Sequence, residues 1–326
     1  MRAEACLAPT IAAVPGIVVT RAEVVRAAET IRGSVRRTPL LDGSDIASGL
    51  GLKAELFQHT GSFKARGVRN RLAGLDADEH ARGVIGISAG NHAAALAWGA
   101  REVGVDCVVV MWRSASAYKM ARAEAYGAVL DLEADNPAHA FERLAELVAE
   151  SGRVVIHPFD DPVVMAGQGT VGLELLEDAP DTDLVIVPVG GGGLVAGIAA
   201  AVTPRGVRVV GVEPERSAAL AEGLRARRPV PIVPQTLAGG LDAPFAGTNA
   251  LATCLAHGVE SVLVSDDEIL DATRLLYADV KLAVEPAGAA GVAALLAGRL
   301  EARRPVVVVS GGNVAAETAS DILRSQ

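Results

Sequence analysis

Aromatic residues, lysine and cysteine are scarce in this chain of 326 residues. Only 3% of the residues are aromatic although 50% are hydrophobic, so the core has to be built from aliphatic side chains. The three cysteines (Cys6, Cys107 and Cys254) are scattered without zinc-site spacing, so we expect neither disulfides nor a bound metal. This cysteine usage favours a protein of the reducing cytoplasm.

The sequence also lacks a basic block and a convincing membrane segment. A net charge of −9 argues against nucleic-acid binding, which needs a concentrated positive surface. The uncharged stretch 184–203 is long enough to cross a bilayer, but its four consecutive glycines would break a helix. We therefore interpret it as a buried strand, a glycine turn and a buried helix. The N-terminal stretch 1–19 contains Glu4 and two prolines, and we expect a frayed segment and not a signal peptide.

Short β-branched runs recur along the chain and alternate with alanine-rich stretches of helical spacing. The runs are 84–88, 107–112, 153–158, 184–189, 207–214, 261–265 and 305–312. Continuous apolar runs of this length are typical of strands buried on both faces of a parallel sheet. One helical stretch opens with Asn136 as a plausible cap and closes on Gly152. The alternation predicts a doubly wound α/β fold with mostly parallel sheets.

Three polar or glycine-rich loops follow predicted strands: "SAGNH" (88–92), "GGGG" (190–193) and "SGGN" (310–313). Ligands of open α/β sheets bind at the carboxyl ends of the strands. We therefore expect the three loops to meet in one crevice.

The glycine run indicates a phosphate site. Successive backbone N–H groups of Gly190, Gly191, Gly192 and Gly193, at the start of a helix, can point at one anion. The run matches neither the dinucleotide fingerprint nor a Walker loop, which favours a single phosphate group over a nucleotide pyrophosphate. The alternative is a tight turn between packed elements, but four glycines exceed what a turn requires.

Lysine is used sparingly, at four positions against 26 arginines. Lys64 lies among small polar residues in "TGSFKARG". A lysine can lose its proton and form a Schiff base with an aldehyde, whereas arginine stays charged. Beside a phosphate site, this predicts pyridoxal 5'-phosphate (PLP) as the cofactor. Lys53 and Lys119 are interpreted as solvated or snorkelling residues, and Lys281 is left open.

Seven motifs in order resemble the PLP-dependent serine/threonine dehydratases, which share a fold with tryptophan synthase β. They run from about Thr38 to Asn313 and are "TGSFKARG", "SAGNHAAALA", "HPFDDPVVMAGQGTVGLELL", "PVGGGGLVAG", "GVEP", "EPAGAAG" and "SGGN". The resemblance implies two doubly wound domains with PLP in the cleft between them, and a homodimer. We expect residues 1–76 and 160–326 to form a large PLP-binding domain, and residues 82–155 to form a small substrate-loop domain.

The resemblance also implies roles for individual residues. Lys64 would hold PLP and remove the Cα proton of the substrate. The residues expected around the cofactor are Phe63, Asn91, Gly190 to Gly193, Leu194, Glu285 and Ser310. The residues expected at the substrate carboxylate are Ser88, Ala89, Gly90, Asn91 and His92. For His92 and Glu285, purely structural roles at helix starts are the alternative. The implied reaction is elimination of the β-hydroxyl of L-threonine or L-serine, giving a 2-oxo acid and ammonia.

The sequence departs from the family pattern mainly in the substrate loops. The family motif "SAGNHAQG" has Ala94 and Ala95 in its last two places here, Trp112 and Ser116 replace prolines, and Gly239 stands where an aspartate is usual. The family's metal-binding glutamate is present as Glu213, but Ala219 replaces the aspartate, so that site looks incomplete.

These departures keep other functions open: a dehydratase for 3-hydroxyaspartate or for a hydroxyectoine-derived amino acid, a serine racemase, or a non-catalytic PLP-binding protein. A nicotinamide oxidoreductase is disfavoured because the sequence has no spaced-glycine fingerprint.

Overall fold

A computed structural model describes residues 16–324 of the chain. The strands are β1 (Leu40–Asp42), β2 (Gly51–Ala54), β3 (Val84–Ile87), β4 (Cys107–Trp112), β5 (Val129–Ala134), β6 (Val154–Val155), β7 (Leu184–Pro188), β8 (Arg208–Pro214), β9 (Glu260–Val264) and β10 (Pro305–Val309). The helices are α1 (Arg21–Thr30), α2 (Lys64–Leu72), α3 (Ala77–Arg82), α4 (Asn91–Val103), α5 (Ala117–Ala125), α6 (Pro137–Ser151), α7 (Pro162–Asp178), α8 (Gly193–Val202), α9 (Ala219–Ala226), α10 (Thr248–Ala256), α11 (Asp266–Ala278), α12 (Pro286–Leu296) and α13 (Ala316–Arg324).

The described strands form two sheets. One has six strands in the order β1-β2-β10-β7-β8-β9, with every pair parallel except β1 and β2. The other has four parallel strands in the order β5-β4-β3-β6. This confirms the predicted α/β fold with mostly parallel sheets. The four-stranded sheet uses residues 84–155 only, and the proposed domain division at 82–155 stays a prediction.

Both faces of each sheet are covered by apolar side chains. Along β7, Val185 and Val187 belong to one core cluster, whereas Leu184 and Ile186 belong to the cluster on the opposite face. β4 divides in the same way between two clusters around the small sheet. Strands buried on both faces explain why the sequence shows continuous apolar runs and not alternation.

Local sequence signals set several helix ends. The side chain of Asn136 accepts a hydrogen bond from the N–H of His139, and α6 ends at Gly152 in the left-handed conformation, as predicted. Residues 184–203 form β7, a glycine turn and α8, also as predicted. Among the helices of residues 16–324, none is long and apolar enough to cross a membrane. The expected frayed segment lies almost entirely outside the described residues, as does Cys6.

The interpretation of Lys53 as a solvated residue is wrong. Its side chain is fully buried in β2, where Nζ donates to the carbonyl of Thr38 at 2.7 Å. Nζ also forms ion pairs with Glu174 at 2.8 Å and with Asp178 at 3.2 Å. A buried ammonium is tolerated here because carboxylates and a carbonyl replace its water shell.

Candidate active site

Lys64 is the first residue of α2 and follows a constrained turn. Thr60 and Gly61 both have left-handed backbones, with φ of 61° and 74°. The Lys64 side chain then reaches the segment before α7, and its Nζ donates a hydrogen bond to the carbonyl of Pro158 at 2.6 Å. The surrounding protein removes water from the ammonium and lowers its pKa to about 8. The neutral amine, the state that a nucleophile or a base requires, is therefore much easier to reach near physiological pH than it is for an ordinary lysine.

A cavity of about 360 Å³ opens at Lys64, at the carboxyl ends of strands from both sheets. It brings together nearly all the residues expected at the site: Phe63, Lys64, Ser88, Ala89, Gly90, Asn91, His92, Gly190, Gly192, Gly193, Leu194, Glu285 and Ser310. The three predicted loops do meet in one crevice. Gly191 is the exception, because it does not line this cavity.

Packing explains each glycine of the 190–193 loop separately. A Cβ on Gly190 would lie 2.8 Å from the carbonyl oxygen of Gly240, and one on Gly193 would lie 2.4 Å from that of Phe159. A Cβ on Gly191 would meet the Phe159 ring at 2.2 Å, and Gly192 has a φ of 92°. Close packing at three positions and a left-handed backbone at Gly192 therefore account for the four glycines, whose number does not by itself indicate a phosphate as the sequence suggested.

The free backbone donors of the same loop do fit a phosphate. α8 begins at Gly193, and the N–H groups of a first helical turn have no carbonyl one turn earlier to bond. They open on the cavity that holds Lys64, with no side chain on Gly192 or Gly193 to cover them. An anion site and a deprotonatable lysine in one cavity match the two groups that PLP offers, a phosphate and an aldehyde.

A second helix begins at the same cavity. Gly90 precedes α4, and its N–H donates to Ser88 Oγ at 3.0 Å. The start of α4 can bind a carboxylate through its free N–H groups. The imidazole of His92 is turned away, with Nε2 bonded to the carbonyl of Ile156 at 2.8 Å. Burial lowers the pKa of His92 to about 3, so the ring is neutral and any contact to an anion has to come from the backbone.

Asn91 joins the cavity to a buried polar network. Its amide nitrogen donates to Glu285 Oε1 at 2.5 Å, and its oxygen accepts from Asn313 at 2.6 Å. Glu285 precedes α12 but makes no side-chain cap bond, so the capping alternative is not what the structure shows. Burial raises the pKa of the Glu285 carboxyl. The second amide hydrogen of Asn91 remains available for a bound group.

The cavity includes residues that the sequence argument did not place at the site. Trp112, Ser116 and Gly239 line it, and these were recognised only as departures from the family pattern. Ala94 and Ala95 instead lie buried within α4. Lys119 lines the cavity although it was interpreted as solvated, and Phe141, Phe159 and Asp242 had no signal in the sequence. Lys281, which was left open, is not among the lining residues.

Residues 31–312 match the family described as "Pyridoxal-phosphate dependent enzyme". The chain belongs to this family. It is 38% identical to the L-threonine ammonia-lyase of Thermotoga maritima over 91% of this chain and 76% of that protein. Among solved structures, it is similar to the threonine deaminase of T.th., at 38% identity and a TM-score of 0.85 over 91% and 99% of the two chains. It is also similar to maize serine racemase, at 33% identity and a TM-score of 0.89 over 93% and 96%.

Membership of the family makes this chain a PLP-dependent enzyme and confirms the predicted cofactor. Glu213, which the family resemblance marks as part of an incomplete metal site, is bonded to protein donors. The Glu213 carboxylate accepts hydrogen bonds from the N–H groups of Leu220 and Ala221 at 2.6 and 2.8 Å, and from Ser261 Oγ at 2.6 Å. Within residues 16–324, no group of three or more His, Cys, Asp or Glu residues is arranged to hold a metal ion.

Proposed function

We propose that this enzyme eliminates the β-hydroxyl of an amino acid such as L-threonine or L-serine, releasing a 2-oxo acid and ammonia. The observation that carries the proposal is one cavity holding Lys64, the α8 N-terminus and the α4 N-terminus. These provide, respectively, a base, a phosphate site and a carboxylate site. The names of the relatives support the same reaction, since they include an L-threonine ammonia-lyase and a threonine deaminase.

The residue roles follow from position and chemistry. Lys64 carries the cofactor, and the backbone from Gly190 to Leu194 binds its phosphate. The remaining cofactor contacts are Phe63, Asn91, Glu285 and Ser310. The segment from Ser88 to His92 binds the substrate carboxylate, with His92 contributing its backbone and not its ring.

Lys64 can act as the base that removes the Cα proton. Its amine is enclosed by protein and has a pKa of about 8, so it can take up a proton and release it again near neutral pH. PLP, when bound, supplies an electron-accepting ring that stabilises negative charge at Cα. The family resemblance implies that the Ser310 hydroxyl would lie at the ring nitrogen of PLP. This hydroxyl is neutral and, unlike a carboxylate, would not favour a protonated ring. An unprotonated ring favours loss of the β-hydroxyl over accumulation of the negative charge from Cα on the ring.

The proposal is tested by a substrate panel with the PLP-loaded enzyme. Release of 2-oxo acid is measured with L-threonine, L-serine, 3-hydroxyaspartate and a hydroxyectoine-derived amino acid. We expect L-threonine or L-serine to give the highest kcat/KM. No release from any of the four would refute the elimination and leave a non-catalytic PLP-binding protein. A higher kcat/KM for one of the last two would change the assigned substrate.

We further propose a homodimer in the cytoplasm. The dimer is a family expectation, and the cytoplasm is supported by Cys107 and Cys254, both of which are buried and free. Light scattering at several protein concentrations tests the dimer, and a monomeric mass throughout would contradict it.

A further inference from the structure

Lys119 lies at the substrate end of the cavity. It is on α5, and its Nζ lies 3.8 Å from the position that a Cβ on Gly90 would take and 3.8 Å from the corresponding position at Gly239. Gly90 is the residue that precedes α4, and Gly239 belongs to a loop on the other side of the cavity. Among the described residues that line the cavity, Lys64 and Lys119 are the two cations.

The ammonium of Lys119 has no partner within residues 16–324, because it makes neither a hydrogen bond nor an ion pair there. The positive charge of Lys119 interacts with two carboxylates at longer range. It opposes the rise that burial causes in the pKa of Asp242 and of Glu285. Neither carboxylate is close enough to form an ion pair with it. This ammonium lines the cavity without a counterion, so it can pair with an anion that enters from outside.

Gly239 keeps this ammonium accessible. If position 239 carried a Cβ, Nζ of Lys119 would lie 3.8 Å from it, and no other atom of residues 16–324 beyond the chain neighbours would come within 4 Å. A carboxylate side chain at 239 would therefore lie against Nζ and neutralise it. With glycine there, Nζ and the N–H groups at the start of α4 face the same part of the cavity.

We propose that Lys119 binds a carboxylate of the substrate. This inference rests on the proposed function and adds a recognition residue to it. Two carboxylates have the required chemistry: the α-carboxylate, which the nearby α4 N-terminus also attracts, and a second carboxylate on the β-carbon. The experiment separates them by using substrates that carry one or both.

The first test compares Lys119→Met, which keeps most of the side-chain length, with Lys119→Arg, which keeps the charge. Loss of one charge-assisted contact should raise KM about 10- to 100-fold in the methionine variant, with a much smaller change in kcat. The arginine variant should recover most of the affinity. A rise in KM for L-serine and L-threonine assigns the α-carboxylate. A rise in KM for 3-hydroxyaspartate alone would show that Lys119 binds the second carboxylate.

The second test leaves Lys119 in place and changes its surroundings. Gly239→Asp and Gly239→Asn add side chains of the same size into open space, and they differ only in charge. The aspartate variant should have a KM about tenfold higher than the asparagine variant, since its carboxylate competes with the substrate for Nζ. This pair decides the question even if Lys119→Met does not fold.

Equal KM values in Lys119→Met and wild type, or in the two Gly239 variants, would overturn the role of Lys119. Wild-type enzyme that releases no 2-oxo acid from any substrate would instead refute the proposed function. The two failures are therefore distinguishable.

Discussion

At the scale of single residues, the four lysines show what decides chemical role. Lys53 pairs with two carboxylates, Lys281 is outside the cavity, and Lys119 lines the cavity near Gly90. Lys64 alone combines a cavity position with a pKa lowered to about 8 by loss of water. Desolvation without a carboxylate partner is what makes it reactive.

We predict that Lys64→Ala abolishes both turnover and the visible absorbance of lysine-linked PLP, which borohydride removes in the wild type. Lys281→Ala is the matched control, because it removes a lysine that does not line the cavity, and it should keep the band. Mass spectrometry of borohydride-reduced wild type should find the cofactor on Lys64. A normal band in Lys64→Ala would contradict the assignment.

Ala89 separates elimination from racemisation, the activity named for the maize structure. Racemisation needs a second proton-carrying group on the face of Cα opposite Lys64. Ala89 lines the cavity, and its methyl group cannot carry a proton. We predict that wild type accumulates almost no inverted L-serine or L-threonine, and that Ala89→Ser raises racemisation relative to 2-oxo acid release.

Chiral chromatography of partly consumed substrate measures both rates. Inversion in the wild type at a rate similar to 2-oxo acid release would contradict this prediction. The Ala89→Gly variant is the control, because it alters the side chain without adding a hydroxyl.

At the scale of elements, the sequence predicted the strands that carry continuous apolar runs, including the edge strands β6 and β9, and it missed β1, β2 and β5. β4, β7, β8 and β10 were found because continuous apolar runs are specific to strands buried on both faces. β1 and β5 were missed because they contain acidic residues and are largely partly exposed, so neither has an unbroken apolar run. β2 is buried but contains Lys53, whose charge hides its position in the sheet.

The candidate site was predicted from loops that follow strands, and what was missed came from elsewhere. Phe141 lies on α6 and Phe159 precedes α7, so no local pattern links either to the cavity. Only folding brings them together, with Phe245 packed against both at ring distances of 6.4 and 5.8 Å. Long-range contacts of this kind leave no signal in a single sequence.

The contact between Phe159 and the glycine loop leads to a prediction. Gly191→Ala should destabilise the loop by roughly 1–3 kcal/mol and weaken PLP binding, since the new methyl group overlaps the Phe159 ring. Phe159→Ala opens the space, so the double variant should lose less than the sum of the single changes. PLP affinity and thermal midpoints measure this. Additive losses would show that Phe159 is not the cause.

Gly193→Ala provides the comparison. Its methyl group would meet the backbone of Phe159 and not the ring, so Phe159→Ala should not rescue it. Rescue of both variants would mean that the whole segment moves freely.

At the scale of the whole molecule, buried charges connect the elements that carry the site. Arg66 is fully buried two residues after Lys64, and it forms ion pairs with Glu55 at 2.7 Å and with Glu174 at 2.6 Å. Glu174 lies on α7 and also pairs with Lys53 of β2. The network thus joins α2, α7 and the large sheet, and it holds the start of α2 in place.

Glu213 provides a prediction for the stability of the whole molecule. Burial raises the pKa of its carboxyl to about 7, although three donors favour the charged form. The folded protein therefore binds this proton more tightly than the unfolded chain, whose glutamate titrates near 4.5. The contribution of Glu213 to the free energy of unfolding should therefore be largest below pH 4.5. This contribution should decrease as the pH rises to about 7.

The predicted loss is on the order of 3 kcal/mol across this window, at about 1.4 kcal/mol for each unit of pKa difference. Glu213→Gln cannot titrate, so the stability of wild type relative to this variant should decrease between pH 4.5 and 7. Replacing the carboxyl also changes the hydrogen bonds to Leu220 and Ser261, but the resulting change in the free energy of unfolding does not depend on pH. Denaturant unfolding of both proteins at several pH values measures the difference. A difference that stays constant, or that grows with pH, would show that the three donors outweigh burial and that Glu213 is ionised in the folded protein.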